Sequence, residues 1–181
     1  MATPEELQAQ GVKLYGQHDY EAAARAFQQA REAYTEVNRM DMVAEMKVNI
    51  GLVHRSLGEN QQALELMQDA LRTFQEQEDL LRAAQVLGNM GGVYSALNDK
   101  EQAYASYRQA ADIFLEIDEM TLYSETLQAL GRLQLRDGKI FMGAATYKVG
   151  LDMVDEDQLS GRQKIMKRLT NFINGLNSRM S

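Results

Sequence analysis

Few residues in this chain have the types and spacing that chemistry requires. The sequence of 181 residues contains no cysteine and two histidines, His18 and His54. A chain without cysteine has no disulfide framework, no thiolate metal site and no cysteine nucleophile. Neither histidine has a second one three or four residues away, the spacing that places two ligands on one helix face. No Ser–His–Asp arrangement is indicated either. We therefore expect no catalytic residues, no metal site and no cofactor.

Two segments invite a chemical interpretation. The run Gly88-Asn89-Met90-Gly91-Gly92 is glycine-rich, but it lacks the Lys-Ser/Thr pair of a phosphate-binding loop. The acidic residues between Asp152 and Asp157 lack the central Gly and terminal Glu of a calcium loop. Gly88 and Gly92 are either tolerated helical glycines or a bare stretch of groove that a ligand backbone can approach. Because the two cost a helix about 2 kcal/mol, the second interpretation is slightly favoured.

Side-chain size recurs with a period of forty residues. Gly11, Gly51, Gly91 and Gly131 are each 40 residues apart. Four further columns follow the same register: Ala23, Ala63, Ala103 and Gly143; Phe27, Met67, Tyr107 and Tyr147; Ala30, Ala70, Ala110 and Gly150; Tyr34, Phe74, Phe114 and Val154. Such repetition predicts stacked copies of one unit, because no single copy can bury its apolar face alone.

Each copy is predicted to form two helices. In the second copy the apolar spacing places helix A over 46–57 and helix B over 61–76. The turn between the helices is predicted to need a left-handed residue, supplied in successive copies by His18, Gly58, Asn98 and Gly138. The repeated Gly of helix A and the first small residue of helix B let the two backbones approach closely. The next small residue is expected to make room for the neighbouring repeat.

These columns resemble the tetratricopeptide repeat. An apolar-Gly pair in helix A with Ala, a large residue and Ala in helix B is seen in Ile50-Gly51 with Ala63, Met67 and Ala70. The 40-residue spacing and the preceding Asn are similar to the long subtype of kinesin light chain and the spindle-orientation adaptors. The resemblance implies an all-α, right-handed superhelical solenoid of four helix-turn-helix repeats plus a C-terminal capping helix. No copy contains the Trp of the family pattern.

The expected organisation is one repeat array followed by a different C-terminal segment. Residues 1–159 hold four repeats, at about 4–40, 41–80, 81–120 and 121–159. Residues 160–181 contain five basic and no acidic residues, while residues 1–159 carry a net charge of −12. An apolar stripe in this segment comprises Ile165, Leu169, Phe172, Ile173 and Leu176. It predicts a helix that caps the open end of the solenoid, with a basic amphipathic helix for a partner or membrane as the alternative.

The register also predicts a binding groove on the inner, concave face. The residues expected to bind a peptide there are Asn49, Asn89, Val12, Val48, Leu52, Arg55, Gly88, Gly92 and Arg132. In the resembling subtype, an Asn at the positions of Asn49 and Asn89 hydrogen-bonds the backbone of a bound peptide. The alternative is a structural bond between adjacent helices. Arg55 and Arg132 favour a ligand with acidic side chains.

The function indicated is non-catalytic binding of a protein or peptide segment in the groove. The alternative is a self-assembling structural protein, a homodimer formed through a terminal repeat or the C-terminal helix. The net charge of −7 disfavours nucleic acid and anionic membranes as partners. The first residues lack a basic region followed by an apolar run, so we expect no targeting signal and a cytoplasmic protein.

Overall fold

The computed structural model describes residues 2–180, except for the side chains of Arg179 and Met180. Ser181, the last residue of the predicted C-terminal segment, lies outside this range, as does Met1. The described residues form helices and no strands, which confirms the all-α helical-repeat class. The helices are α1 (Pro4–Gly16), α2 (Tyr20–Glu36), α3 (Met40–Ser56), α4 (Asn60–Glu76), α5 (Leu80–Ala96), α6 (Lys100–Glu116), α7 (Met120–Arg136), α8 (Ile140–Asp152) and α9 (Gly161–Met180).

Turns between helices recur every twenty residues, and each contains one residue in the left-handed backbone conformation. A residue with positive φ stands at His18, Asn38, Gly58, Glu78, Asn98, Asp118 and Gly138. The four left-handed residues predicted inside the repeats are confirmed. The three between repeats, at Asn38, Glu78 and Asp118, were not predicted. The first helix of the second copy begins directly after the Asn38 turn, at Met40 rather than at 46.

The N-termini of α1 and α9 are capped by side chains. Thr3 caps α1, since its hydroxyl accepts from the Glu6 amide at 3.2 Å while the Glu6 carboxylate accepts from the Thr3 amide at 2.8 Å. The Ser160 hydroxyl accepts from the Gln163 amide at 3.3 Å, and Gln163 Oε1 accepts from the Ser160 amide at 2.9 Å. Both helix starts have the spacing of a capping box, in which Ser or Thr is followed three residues later by Glu or Gln.

The chain divides into two compact units, and the first extends to Lys100. Its interior includes two apolar clusters. The cluster of α1–α3 contains Phe27, Tyr34, Met46 and Val53, all 2% exposed or less. The cluster of α3–α5 contains Met67, Phe74 and Val86, and Val48 and Leu52 pack against it. Each cluster joins a helix pair to the next helix along the chain, as repeat packing requires.

The second unit begins at Glu101, and within it α7 and α8 approach each other closely. A Cβ at Gly131 would lie 2.6 Å from the Tyr147 backbone nitrogen, which explains why this position has no side chain. A Cβ at Gly150 would lie 2.7 Å from the Ser124 carbonyl oxygen and 3.0 Å from Gln128 Cγ. Gly150 therefore makes room for the helix of its own pair. The expectation that this column accommodates the neighbouring repeat is wrong at this position.

Helix α9 packs against α8 through a different face from the predicted one. Thr170 is fully buried, and Met166 packs against the cluster of Tyr147, Leu151 and Leu159. The predicted stripe faces solvent instead, except for Ile173. The exposed fractions are 67% for Ile165, 46% for Leu169, 65% for Phe172 and 39% for Leu176. The stripe thus covers nothing within the described residues.

Candidate functional site

Helices α1, α3 and α5 contact one another through side chains. The Tyr15 hydroxyl of α1 lies 2.9 Å from Ser56 Oγ of α3, and the Arg55 guanidinium of α3 lies against Gly92 of α5. We call the surface that these helices share the α1–α3–α5 face. Its predicted ligand contacts are Val12, Val48, Asn49, Leu52, Arg55, Gly88, Asn89 and Gly92.

A hydrogen-bonded chain holds α1 in place at one side of this face. The Tyr34 hydroxyl donates to Gln8 Oε1 at 2.8 Å, and Gln8 Nε2 donates to Glu45 Oε1 at 2.7 Å. Burial of the Tyr34 hydroxyl, with nearby Glu5 and Glu45, raises its pKa. Gln8 is therefore occupied in joining α1 to α2 and α3.

Arginines neutralise the carboxylates at the start of α3. Arg39 donates two hydrogen bonds of 2.9 Å to Asp41, and Arg82 of α5 lies 3.7 Å from the same carboxylate. The Arg39 hydrogen bonds, with smaller contributions from the Met42 amide and Arg82, lower the pKa of Asp41 to about 2. Arg82 also donates to Asp79 at 2.5 Å. The contacts of Arg82 with Asp41 and Glu45 tie α5 to α3.

Asn49 and Asn89 stand at equivalent positions of α3 and α5, both partly exposed. Among the described residues, neither side chain takes part in a hydrogen bond. The structural bond between adjacent helices that sequence reasoning left open is therefore not made. Each amide keeps one acceptor and a two-proton donor available to a ligand.

Arg55 and Gly92 form one arrangement. A Cβ at Gly92 would lie 2.7 Å from Arg55 Nη2 and 2.8 Å from Arg55 Cζ. The interpretation of Gly92 as bare groove is therefore wrong, because the guanidinium occupies the space that the glycine leaves. Gly88 is different, since nothing lies within 4 Å of a Cβ built there. Arg55 has no carboxylate partner among the described residues.

The apolar residues of the face differ in exposure. Val12 is 56% exposed, whereas Val48 and Leu52 are partly buried against the α3–α5 cluster. Arg132, predicted for the same groove, belongs to the second unit, where it is exposed and lies 5.8 Å from the centre of the Tyr147 ring. Every predicted contact except Arg132 therefore lies on α1, α3 or α5, and the role of each in binding stays a prediction.

The described residues contain no group of three or more His, Asp or Glu side chains that could hold a metal ion. The His54 Nδ1 atom lies 2.5 Å from Glu59 Oε2, and His18 Nδ1 lies 2.9 Å from the Tyr20 hydroxyl. Both contacts hold the turns that follow α3 and α1. In the part of the chain that the structure describes, no helix is long and apolar enough to cross a membrane.

In the second unit, register alone gives a misleading picture of the corresponding surface. Gln128 occupies the position of Val48 and Gly88, yet it is only 4% exposed. Its Nε2 lies 3.3 Å from Ser124 Oγ, and its Oε1 accepts from Gln163 Nε2 of α9 at 3.1 Å. The capping box at Ser160 and Gln163 was the sequence signal that could have placed the start of α9 here.

Comparison with known proteins agrees with this architecture. The family model of the tetratricopeptide repeat matches residues 42–116, which include most of α3 and all of α4, α5 and α6. The matched segment contains both Asn49 and Asn89. No curated protein sequence matches the chain.

Two solved structures share the fold at low sequence identity. The crystal structure of BtubC (BKLC) from P. vanneervenii superposes with a TM-score of 0.75 at 16% identity, covering 94% of this chain and 72% of that one. A tetratricopeptide repeat protein from Parabacteroides merdae ATCC 43184 superposes with a TM-score of 0.60 at 19% identity. That match covers 95% of this chain, which spans 60% of the other protein's length.

Proposed function

We propose that this chain, whose residues 42–116 match the tetratricopeptide-repeat family model, is a non-catalytic binding module for another protein. Repeats of this family generally mediate protein–protein interaction. The ligand is an extended or helical segment, with acidic side chains, that lies across the α1–α3–α5 face. The observation that carries this proposal is that Asn49 and Asn89, at equivalent positions of adjacent repeats, have no hydrogen-bond partner within the described chain.

The two amides are suited to read the backbone of a ligand. A carboxamide can donate to a peptide carbonyl and accept from a peptide N–H at the same time. Neighbouring helices lie about 10 Å apart, and an extended chain advances about 3.3 Å per residue. Asn49 and Asn89 would therefore contact peptide units about three residues apart. Such contacts fix the register of a ligand without requiring a particular sequence.

Arg55 supplies the preference for acidic side chains. Its guanidinium lies against the backbone of Gly92, one helical turn after Asn89, and it has no carboxylate partner among the described residues. A planar guanidinium held in place by a neighbouring helix can bind a carboxylate with two parallel hydrogen bonds. Leu52, at the turn before Arg55, and Val12 add apolar surface. Arg55 would therefore bind an acidic side chain of the ligand next to the point where the Asn amides bind its backbone.

A displayed library of random twelve-residue peptides provides the test. We expect the selected peptides to be enriched in Asp and Glu. Asn49→Ala with Asn89→Ala should weaken the binding of a selected peptide by about tenfold or more, equivalent to about 1.4 kcal/mol. Binding is measured by fluorescence anisotropy, and Gln62→Ala with Gln109→Ala, which removes exposed amides from α4 and α6, is the matched control.

Two outcomes would contradict the proposal. If the double Asn variant loses melting temperature in proportion to binding, the amides are structural. If the selected peptides contain no excess of acidic residues, or if Arg55→Gln leaves that excess unchanged in a repeated selection, Arg55 does not read the ligand. Gly92→Ala offers an independent check, because a methyl group there must displace the guanidinium. We expect Gly92→Ala to weaken acidic peptides more than neutral ones.

A further inference from the structure

Helix α9 presents an apolar face that no element among the described residues covers. Ile165, Leu169, Phe172 and Leu176 follow the 4-3-4 spacing of one helix stripe and extend over about 17 Å at 1.5 Å per residue. The exposed fractions of Ile165 and Phe172, 67% and 65%, are the highest among the exposed large apolar side chains. Single exposed apolar residues are ordinary, but a contiguous row of four marks a contact surface.

The register of α9 indicates what shape this surface fits. Helix α9 begins at Gly161, 41 residues after α7 begins at Met120, so it stands in the chain as the first helix of a fifth pair. With that one-residue offset, Phe172 takes the place of Gly131. In α7 this position faces the second helix of the pair, since a Cβ at Gly131 would lie 2.6 Å from the Tyr147 nitrogen. The exposed stripe of α9 is thus the face that receives a helix.

The charges beside the stripe indicate what kind of helix it fits. At about 100° per residue, Arg162 and Arg168 border the stripe on opposite sides. Neither they nor Lys164 has an ion-pair partner among the described residues, and residues 160–181 contain no acidic side chain. Lys167 lies on the packed side, 3.9 Å from Asp152. A partner helix with carboxylates on both sides of its apolar stripe could form ion pairs with Arg162 and Arg168 at the same time.

We propose that α9 docks an acidic amphipathic helix of another protein, which takes the place of the second helix of a fifth pair. Phe172 adds a size requirement. Within the pairs α1–α2, α3–α4 and α7–α8 the first helix contributes glycine and the second a large side chain, as with Gly51 and Met67. On α9 the large side chain stands on the first helix. The docked helix therefore carries a small residue, Ala or Gly, opposite Phe172. This surface consists of α9 alone and does not depend on the α1–α3–α5 face.

Two other occupants fit less well. A second copy of α9 would bring two exclusively basic helices together, with no carboxylate on either. An anionic lipid surface would attract the arginines, but Asp152, Asp155, Glu156 and Asp157 immediately precede the helix and would be repelled. A protein helix with its own carboxylates is attracted to the basic side chains of α9. It also does not bring the acidic residues that precede α9 close to an anionic membrane.

A designed peptide tests the proposal directly. The probe is a fluorescein-labelled 21-residue helix with Leu in a heptad stripe, one central Ala in that stripe and Glu on both flanks. Its control has Lys on both flanks and is otherwise identical. We expect the Glu probe to bind the full chain at least tenfold more tightly than the Lys probe. Replacement of its central Ala by Phe should also weaken binding at least tenfold.

Variants of the chain assign the binding to this face. Phe172→Glu should weaken binding of the Glu probe at least tenfold, and Arg168→Glu, which leaves the apolar stripe intact, should do the same. The matched controls are Val149→Glu on α8, where Val149 is 48% exposed, and Arg25→Glu on α2. Circular dichroism monitors helicity, and both control variants should bind as the unaltered chain does.

Three results would overturn the proposal. Equal affinity for the Glu and Lys probes would remove the charge argument. Co-sedimentation with vesicles containing phosphatidylserine that is lost in Phe172→Glu, without binding of the Glu probe, would identify a lipid surface instead. A concentration-dependent dimer in sedimentation that Phe172→Glu dissociates would identify a second copy as the occupant. Because the probe contacts α9 only, failure here leaves the Asn49 and Asn89 experiment unaffected.

Discussion

At the residue scale, the helical glycines of this chain differ in what lies next to them, although the sequence alone does not distinguish them. A Cβ at Gly51 would lie 3.2 Å from the Ala63 carbonyl oxygen, and a Cβ at Gly131 would meet backbone at 2.6 Å. Gly92 instead faces the guanidinium of Arg55, and Gly88 faces open space. The cost of adding a methyl group therefore differs at each position, although all are helical glycines.

This difference gives a matched pair of substitutions. We expect Gly131→Ala to destabilise the protein by about 1–3 kcal/mol, because backbone atoms cannot move aside as a flexible side chain can. Gly88→Ala should stabilise it by up to about 1 kcal/mol, since alanine is the better helix former and nothing obstructs the methyl group. Urea unfolding measures both. Equal effects of the two substitutions would show that helix propensity, rather than packing, decides.

At the element scale, the helices are set by turns in which one residue has positive φ. Asn and Gly accept this conformation readily, but Glu78 and Asp118 adopt it with φ of 55° and 60°. Glu78 stands immediately before Asp79, whose side chain caps α5 by accepting from the Arg82 amide at 2.9 Å. The cap and the packing of α4 and α5 thus hold a residue in a conformation that it does not favour.

Relief of this strain is measurable. We expect Glu78→Gly to stabilise the protein by about 1 kcal/mol, because glycine adopts the left-handed region without the steric cost of a Cβ. The control is Gln77→Gly at the preceding position, where φ is −90°. There glycine only adds entropy to the unfolded chain, and we expect a loss of about 0.5–1 kcal/mol. A destabilised Glu78→Gly protein in thermal unfolding would argue against strain at the turn.

At the scale of the whole molecule, stability in a repeat protein comes from contacts between neighbours along the chain. Helix α2 packs on α1 and α3, and α8 packs on α7 and α9. Perturbation of one pair should therefore remain local. We expect Gly131→Ala to accelerate hydrogen exchange about tenfold or more in α7 and α8, for about 1.4 kcal/mol, while exchange in α1 and α2 stays unchanged. Uniform acceleration throughout the chain would indicate a single cooperative unit.

Charge is also distributed at this scale. Residues 1–159 carry −12, and residues 160–181 carry five basic side chains without an acidic one. The α1–α3–α5 face and α9 both present arginines without carboxylate partners among the described residues, although the chain as a whole is acidic. Partners of either surface would be selected by local charge. Net charge governs only the long-range approach, which added salt weakens.

The sequence by itself determined the helical pairs, the forty-residue period and the left-handed turns at His18, Gly58, Asn98 and Gly138. These features depend on residues close together in the chain or on side-chain size repeated at a fixed interval. The inter-repeat turns were missed. The turn at Asn38 could have been found, because Asn98 was predicted from the same residue type, whereas Glu78 has no intrinsic preference for positive φ and adopts it only where packing imposes it.

Only the tertiary structure decided which of the candidate binding groups are free. Arg55 fills the space above Gly92, α9 covers Gln128, and the stripe from Ile165 to Leu176 faces solvent while Thr170 is buried. Each of these facts is a contact, or a missing contact, between residues on different helices. A periodic pattern specifies that such faces exist. Which neighbour occupies each face depends on how successive helices come together in space.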